Sequence, residues 1–411
     1  MSRIWCVSAP LFSHTDWGGF LKTALELKER GHDVTWVSQA GIAGAVTAAG
    51  IDFVPIRASG WLWPPPPAPD VTKILPTEAV MLRYRRALDT WLTVDLVADA
   101  TAALIELATE HGKPDLILTD PFLTAAALAA EALEVPLVVC GWPALDDLNE
   151  DFLFPVQKTL GADSQSRMAA LFERFGLRGV NISKGATPSV LSPHLHICYF
   201  SPTWYQADTG NLLDQTYFVG GAREVPQADA PSWLNAIPAD APIGLVTLGT
   251  TFAGELGFFS WAAQAMARLG LTPVVAIGWS PYGADEKAAL KAALPPTTRL
   301  LNWVDLAHVL PRTRVITHHG GMGTTHWAIR YGVPQIIVPH AADQRGQARR
   351  AAQAKIGLNL TAHDVRHGAL LTGIRAVITD ANVAQNARDL AAEFELLGGA
   401  SAAANEILKV L

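Results

Sequence analysis

Residues 317–344 read THHGGMGTTHWAIRYGVPQIIVPHAADQ, and the order of residue types along them sets the fold. Residues 315–317 end a short apolar strand. Gly320, Gly321 and Gly323 make a turn, and a helix is expected from about Thr324 to Tyr331. Gly332 stops that helix, and Pro334 opens a second apolar strand over 335–338. A strand, a glycine turn and a helix start bring backbone N–H groups and the positive end of the helix dipole to one spot, where an anion is welcome. Glycines admit a phosphate close to the backbone, and His318 and His319 at the strand end add donors or positive charge. Asp343 and Gln344 follow one strand later, with directional hydrogen-bonding groups. Two glycines at such a turn are common in α/β domains. Three glycines, two histidines and the Asp–Gln pair exceed what packing alone requires.

Outward from this segment the chain alternates strands with helices. A strand over 4–9 ends at Pro10, an amphipathic helix over 20–30 is capped by Gly31, and a strand resumes over 33–38. A helix over 40–49, a strand over 52–56 and a Pro-rich loop follow. Later come a strand at 116–119, a helix at 123–133 and a strand at 137–139. This spacing implies parallel βαβ units and a doubly wound sheet. The stretch 200–242, with scattered Pro, Gly, Asp and Gln, reads as a linker. The alternation then restarts with a strand over 243–248, a helix over 258–269 and a strand over 273–277. The Ala-rich last third is expected to be helical and without strands. The expected fold is α/β, with two doubly wound Rossmann-like domains facing a cleft. Their bounds are read as 1–215 and 216–385, with helices of 386–411 packing back on the first domain. Ligands of such sheets bind beyond the carboxyl ends of the strands.

Composition narrows the function classes. Of 411 residues half are hydrophobic and 17% charged, which suits a globular chain of two cores. A net charge of −7 with no long basic run argues against nucleic acid as the main partner. The three cysteines, Cys6, Cys140 and Cys198, are far apart, and Cys6 and Cys140 lie in apolar runs. Reduced core residues in a cytoplasmic protein are the expectation. The first ten residues lack the charged start and long apolar core of a secretion signal. No run of about 18 apolar residues suggests a membrane span.

With these residues in hand, the chain resembles the family 1 glycosyltransferases of GT-B fold, the inverting group that uses nucleotide-activated sugars. Bacterial members decorate polyketides, glycopeptides, sterols and other lipophilic acceptors. The resemblance covers most of the chain, strongest over 303–357, clear over 8–38 and 114–139, and poor over 57–110 and 145–215. The family's donor signature, a Trp-led segment ending in Asp/Glu-Gln, is matched from Asn302-Trp303-Val304 to Asp343-Gln344. The HHGGMGTTH form resembles the bacterial glycopeptide and sterol branches more than the plant enzymes.

The resemblance implies roles residue by residue. Trp303 would lie under the nucleotide base, with the backbone at Val304 reading its edge. His318 would contact the diphosphate, with Gly320, Gly321, Gly323 and Thr324 offering backbone or hydroxyl donors. Gly249 and Thr250 match the family's phosphate-side pair after the first strand of the second domain, and Asp343 and Gln344 would hold hydroxyls of the sugar. Flat aromatics stack bases, and helix starts hold diphosphates, so residue chemistry agrees. Plant-type enzymes carry Gln and Glu for the ribose where this chain has Leu306 and His326, so both UDP- and dTDP-sugars stay open. His326 and His319 read equally as helix-start or packing residues.

His14, in Pro10-Leu11-Phe12-Ser13-His14 after the first strand, stands where the family has its general base. An imidazole with a pKa of about 6.5 suits removal of a hydroxyl proton near neutrality. Asp120, at the end of the strand 116–119, matches the orienting aspartate and follows the base-plus-orienter logic of a catalytic triad. Asp16 is the nearby acidic alternative. The implied reaction is a single inverting displacement to a hydroxyl of a lipophilic small-molecule acceptor. No Asp-X-Asp pattern is present, so no metal or other cofactor is expected. Trp61, Trp63, Trp142 and Phe152 are candidates for an apolar acceptor pocket; Trp61 and Trp63 read equally as packing of a polyproline loop. Two other readings are weighed. A non-catalytic relative that activates a true transferase should have lost the base or the donor signature. A nicotinamide-dependent oxidoreductase should carry G-x-G-x-x-G after a first strand, and neither candidate loop does. The sugar, the atom linked and the oligomeric state are not encoded legibly.

Overall fold

Residues 33–38 and 116–119 form strands of those bounds in the computed structural model, and the alternation around them folds into two sheets. The structure describes residues 1–411 except Trp17, Pro65, 67–73, 146–154, Ala186, Gln227, 250–255, 279–281 and 341–342. Thr250 and Phe152 thus lie outside the described residues. The first sheet contains β1 (Arg3–Val7), β2 (Asp33–Ser38), β3 (Asp52–Pro55), β4 (Leu116–Thr119), β5 (Leu137–Gly141), β6 (Leu195–Cys198) and β7 (Thr216–Phe218). The second contains β8 (Ile243–Thr247), β9 (Thr272–Ala276), β10 (Arg299–Leu301), β11 (Thr313–His318), β12 (Gln335–Ile337) and β13 (Gly357–Asn359).

The spatial orders are β3-β2-β1-β4-β5-β6-β7 and β10-β9-β8-β11-β12-β13, and every pairing between these strands is parallel. The order reverses between β1 and β4 in one sheet and between β8 and β11 in the other, so each sheet has a switch point there. Register makes both points level: Val7 pairs with Thr119, and Thr247 with His318. Central strands such as β4, β5 and β8 are buried at every residue, as parallel strands covered on both faces must be. In the second sheet two apolar clusters mark the two covered faces, one around Phe259, Met266 and Ile336, the other around Leu245, Val309 and Ile316.

The chain forms two compact units. The first comprises Met1–Tyr199, Asp208–Val219 and Gly398–Leu411, and the second Phe200–Ala207 and Gly220–Leu397. Sequence alone puts the boundaries at 215 and 385. The helix Ala381–Leu396 belongs to the second unit, where its Phe394 packs on Phe200 and His326. The last helix, Gly399–Ile407, belongs to the first, where Arg30 bonds Ser401 and Asn405.

Three expectations need correction. The stretch read as a linker, 200–242, contains β7, an edge strand of three residues that is too short to show an alternation. The last third contains β13, equally short and ending in a polar residue. The glycine turn passes into helix at Met322, not Thr324, because Gly321 serves as N-cap and Gly323 is tolerated in the first turn. The weakly read region after the Pro-rich loop holds two long helices, Pro76–Leu92 and Val94–His111. Cys6, Cys140 and Cys198 are buried free thiols, and burial pushes Cys6 and Cys140 to higher pKa. No helix among the described residues is long and apolar enough to cross a membrane.

Candidate active site

At the switch point of the first sheet, the chain leaves β1, turns at Pro10 and enters the short helix Phe12–Asp16, which carries His14. Asp120 directly follows β4. Because these strands are neighbours in level register, the two side chains meet: His14 Nδ1 lies 3.4 Å from Asp120 Oδ2. This is long for a charge-assisted bond, and catalytic contacts often tighten only in the working complex. The aspartate is fully buried yet well supplied with donors. Ala9 N–H donates to Oδ2 at 2.8 Å and Phe122 N–H to Oδ1 at 2.8 Å. Two backbone donors stabilise a carboxylate in a place where desolvation would otherwise be costly.

Rings enclose this pair. The Trp61 ring meets His14 edge-on at 4.9 Å between centroids, and Phe122 lies 5.9 Å away. Phe122 also contacts Trp61 at 6.0 Å and Trp142 at 4.8 Å. Two of the aromatic residues proposed from sequence are thus brought to His14, Trp61 directly and Trp142 through Phe122. Sequence reasoning missed Phe122, although it sits two positions after Asp120 on the same strand end. Trp63 is 42% exposed. Trp142 is fixed from behind by His196, whose Nδ1 donates to the Trp142 carbonyl at 3.3 Å while Nε2 accepts from Ser192 N–H at 3.0 Å. Burial pushes the His196 pKa down to about 4.

The switch point of the second sheet has other material. Gly320, with φ of +90°, turns the chain out of β11, and a Cβ there would stand 2.7 Å from Ile337 Cγ2 and 2.9 Å from the Gln344 carbonyl. Only glycine fits this conformation and this close approach. The helix Met322–Arg330 then starts with Gly321, which supplies no side-chain cap. The N–H groups of its first turn lie ahead of the helix's own acceptors, and Gly323 borders open space. Trp303, just past β10, is 57% exposed, an unusual placement for so large an apolar ring. Val304 beside it is buried and anchors the loop in the core.

His318, the residue that the resemblance places at the diphosphate, is turned into the unit. It is fully buried; its Nδ1 accepts from Gly320 N–H at 3.2 Å and its Nε2 donates to Gln335 Oε1 at 2.8 Å. Both ring nitrogens are engaged inside the unit, and burial pushes the pKa down to about 4 despite the Gln335 bond. Its neighbour His319 instead lies against Gly249 and Gly321. Gly249 N–H is also engaged, donating to Thr247 Oγ1 at 3.1 Å. Asp343 is the half-buried N-cap residue of the helix Gln344–Gln353, and Gln344 Oε1 accepts from His340 N–H at 2.8 Å. Thr324 is half-buried in the first turn of its helix. At the two ribose positions, Leu306 packs into an apolar cluster, and His326 is fully buried against Phe200 and Phe394. No group of three His, Cys, Asp or Glu placed to hold a metal occurs among the described residues.

Known proteins resemble this chain in sequence and fold. Residues 283–406 match the family described as the C-terminal domain of erythromycin biosynthesis protein CIII-like proteins. The elloramycin glycosyltransferase ElmGT of Streptomyces olivaceus is 30% identical over 292 residues, 71% of this chain and 67% of its own. The TDP-daunosamine transferase DnrS of Streptomyces peucetius is 27% identical over 361 residues, 84% of this chain and 82% of its own. The crystal structure of CalG4, the calicheamicin glycosyltransferase, superposes with a TM-score of 0.76 at 24% identity, covering 100% of this chain and 98% of that one. The chain belongs to the family 1 glycosyltransferases of GT-B fold, in their bacterial natural-product branch, and is a sugar-transferring enzyme.

Proposed function

We propose that the enzyme moves a sugar, with inversion at the anomeric carbon, from a UDP- or dTDP-sugar to a hydroxyl of a lipophilic, ring-containing acceptor. The contact between His14 and Asp120, enclosed by Trp61, Phe122 and Trp142, carries this reading. A carboxylate can only accept, so Asp120 selects the tautomer with hydrogen on Nδ1 and makes Nε2 the basic nitrogen. The acceptor oxygen forms its bond to the anomeric carbon as the bond to the diphosphate oxygen breaks. The hydroxyl proton passes to His14 Nε2, and the electron pair departs with the diphosphate. The rings exclude water from the base and offer flat apolar surface to an acceptor of matching chemistry.

Charge on the departing diphosphate is met by the start of the helix Met322–Arg330, whose aimed donors are typically worth about 3 kcal/mol each in a transition state. His318 serves this end by holding the glycine turn, with Asp343 and Gln344 left to contact the sugar. With that electrostatic support, transfer proceeds without a divalent metal ion. The exposed ring of Trp303 suits base stacking. Leu306 and His326 are committed to packing, which accords with a deoxythymidine donor that lacks the ribose 2′-hydroxyl. A relative named for a TDP-sugar points the same way. The test is incubation with UDP- and dTDP-sugars and a panel of lipophilic alcohols and phenols, with and without chelator. Product mass and anomeric configuration are then read by mass spectrometry and NMR. Inverted glycoside formed equally with chelator is expected; retention, chelator sensitivity or absence of product contradicts the reading.

A further inference from the structure

His319 follows β11, and its imidazole is enclosed by glycine backbone from two directions. A Cβ added to Gly321 would stand 2.4 Å from Nε2, and one added to Gly249 would stand 2.8 Å from Cε1. Gly249 comes from the loop after β8 and Gly321 from the helix start, so the ring sits at the switch point itself, where doubly wound sheets take their anions. It is 6% exposed. The His318 ring lies 6.4 Å away and nearly perpendicular, but its nitrogens are spent on Gly320 and Gln335.

The groups that act on His319 electrostatically are His318 on β11 and His340 after β12. The bordering residues Gly249 and Gly321 contribute no charge. Burial first, then these two histidines, hold its pKa well below the ordinary imidazole value. The neighbouring helix dipole acts in the same sense. Every influence here disfavours a cation while the site lacks an anion; two phosphate charges beside the ring supply the opposing attraction that favours the protonated form. We propose that His319 takes up a proton when a nucleotide sugar binds and meets the diphosphate as an imidazolium. This rests on the reading of the glycine turn as the diphosphate site. The proton comes from solvent and returns there when the nucleoside diphosphate leaves; the acceptor's proton goes separately to His14.

Calorimetric titration with UDP-glucose and dTDP-glucose, in buffers of differing ionisation enthalpy near neutral pH, counts that proton. A nucleotide sugar has no ionisation of its own in this range, so any uptake belongs to the protein. Net uptake approaching about one proton per site is expected, with affinity rising up to about tenfold per unit fall in pH. His319→Asn should abolish both effects, and His340→Asn should keep them. Binding by the unsubstituted enzyme without proton uptake overturns the proposal while leaving the diphosphate site intact. Uptake that persists in His319→Asn assigns the proton elsewhere and also overturns it. If neither nucleotide sugar binds, the diphosphate reading fails and takes this proposal with it.

Discussion

At the carboxyl ends of β1 and β4 the chain supplies a histidine, a carboxylate and a set of rings; at the ends of β8 and β11 it supplies glycines and a helix start. Both places have the same topology and the same level register. In the proposed mechanism the loops alone make one an acid–base centre and the other an anion cradle, as expected when function is grafted on a fold. The way each tolerates polar groups differs as well. The first keeps a fully buried carboxylate by giving it two backbone N–H donors. In the second, burial pushes the pKa of both histidines down.

Substitutions that strike one region and spare the other would break or sharpen this comparison. The largest effect is expected from His14→Ala, which should lower kcat about a thousandfold or more with the donor KM unchanged in steady-state assays. Gly320→Ala should cost the second unit about 2–3 kcal/mol through its positive φ and its clash with Ile337 and Gln344. Thermal unfolding would show it, and nucleotide binding should be lost with it. Trp303→Ala should weaken nucleotide affinity about ten- to a hundredfold, as loss of a stacking ring does; at saturating donor, kcat should hold.

The smallest effect concerns acid. Each unit has a buried histidine with a pKa of about 4 in place of the usual 6.5, His196 in the first and His318 in the second. A depressed pKa means the unfolded chain binds the proton first. The stability these groups confer is therefore complete above about pH 6.5 and declines towards about pH 4, by at most about 1.4 kcal/mol per unit for each group. His318→Gln should flatten the acid limb of a melting-temperature profile, and an unchanged limb would contradict the burial argument.

Much of this was legible in the sequence where spacing reports geometry. The strands at 33–38 and 116–119 were readable because apolar runs end at glycine, proline or polar residues. The meeting of His14 with Asp120 follows once β1 and β4 are neighbours. Phe122 was not foreseen, because nothing in an Asp-Pro-Phe step says which ring will face a histidine more than a hundred positions away. The difference between His318 and His319 was partly available. In a strand, alternate side chains share a face, so His318 shares that of Ile316 and turns into the core, while His319 lies beyond the strand. What sequence lacks is the partner: Gln335 becomes visible as the acceptor for His318 only when β12 is laid beside β11. β7 and β13 escaped because three residues carry too little pattern to separate a short edge strand from a loop.

The central claim is that proton removal and donor binding belong to different switch points. Titration of a nucleotide sugar into His14→Ala, beside its turnover on a good acceptor, tests this most directly. The account predicts an affinity indistinguishable from that of the unsubstituted enzyme while transfer is lost. Near-normal turnover, or a loss of affinity that tracks the loss of turnover, would contradict it.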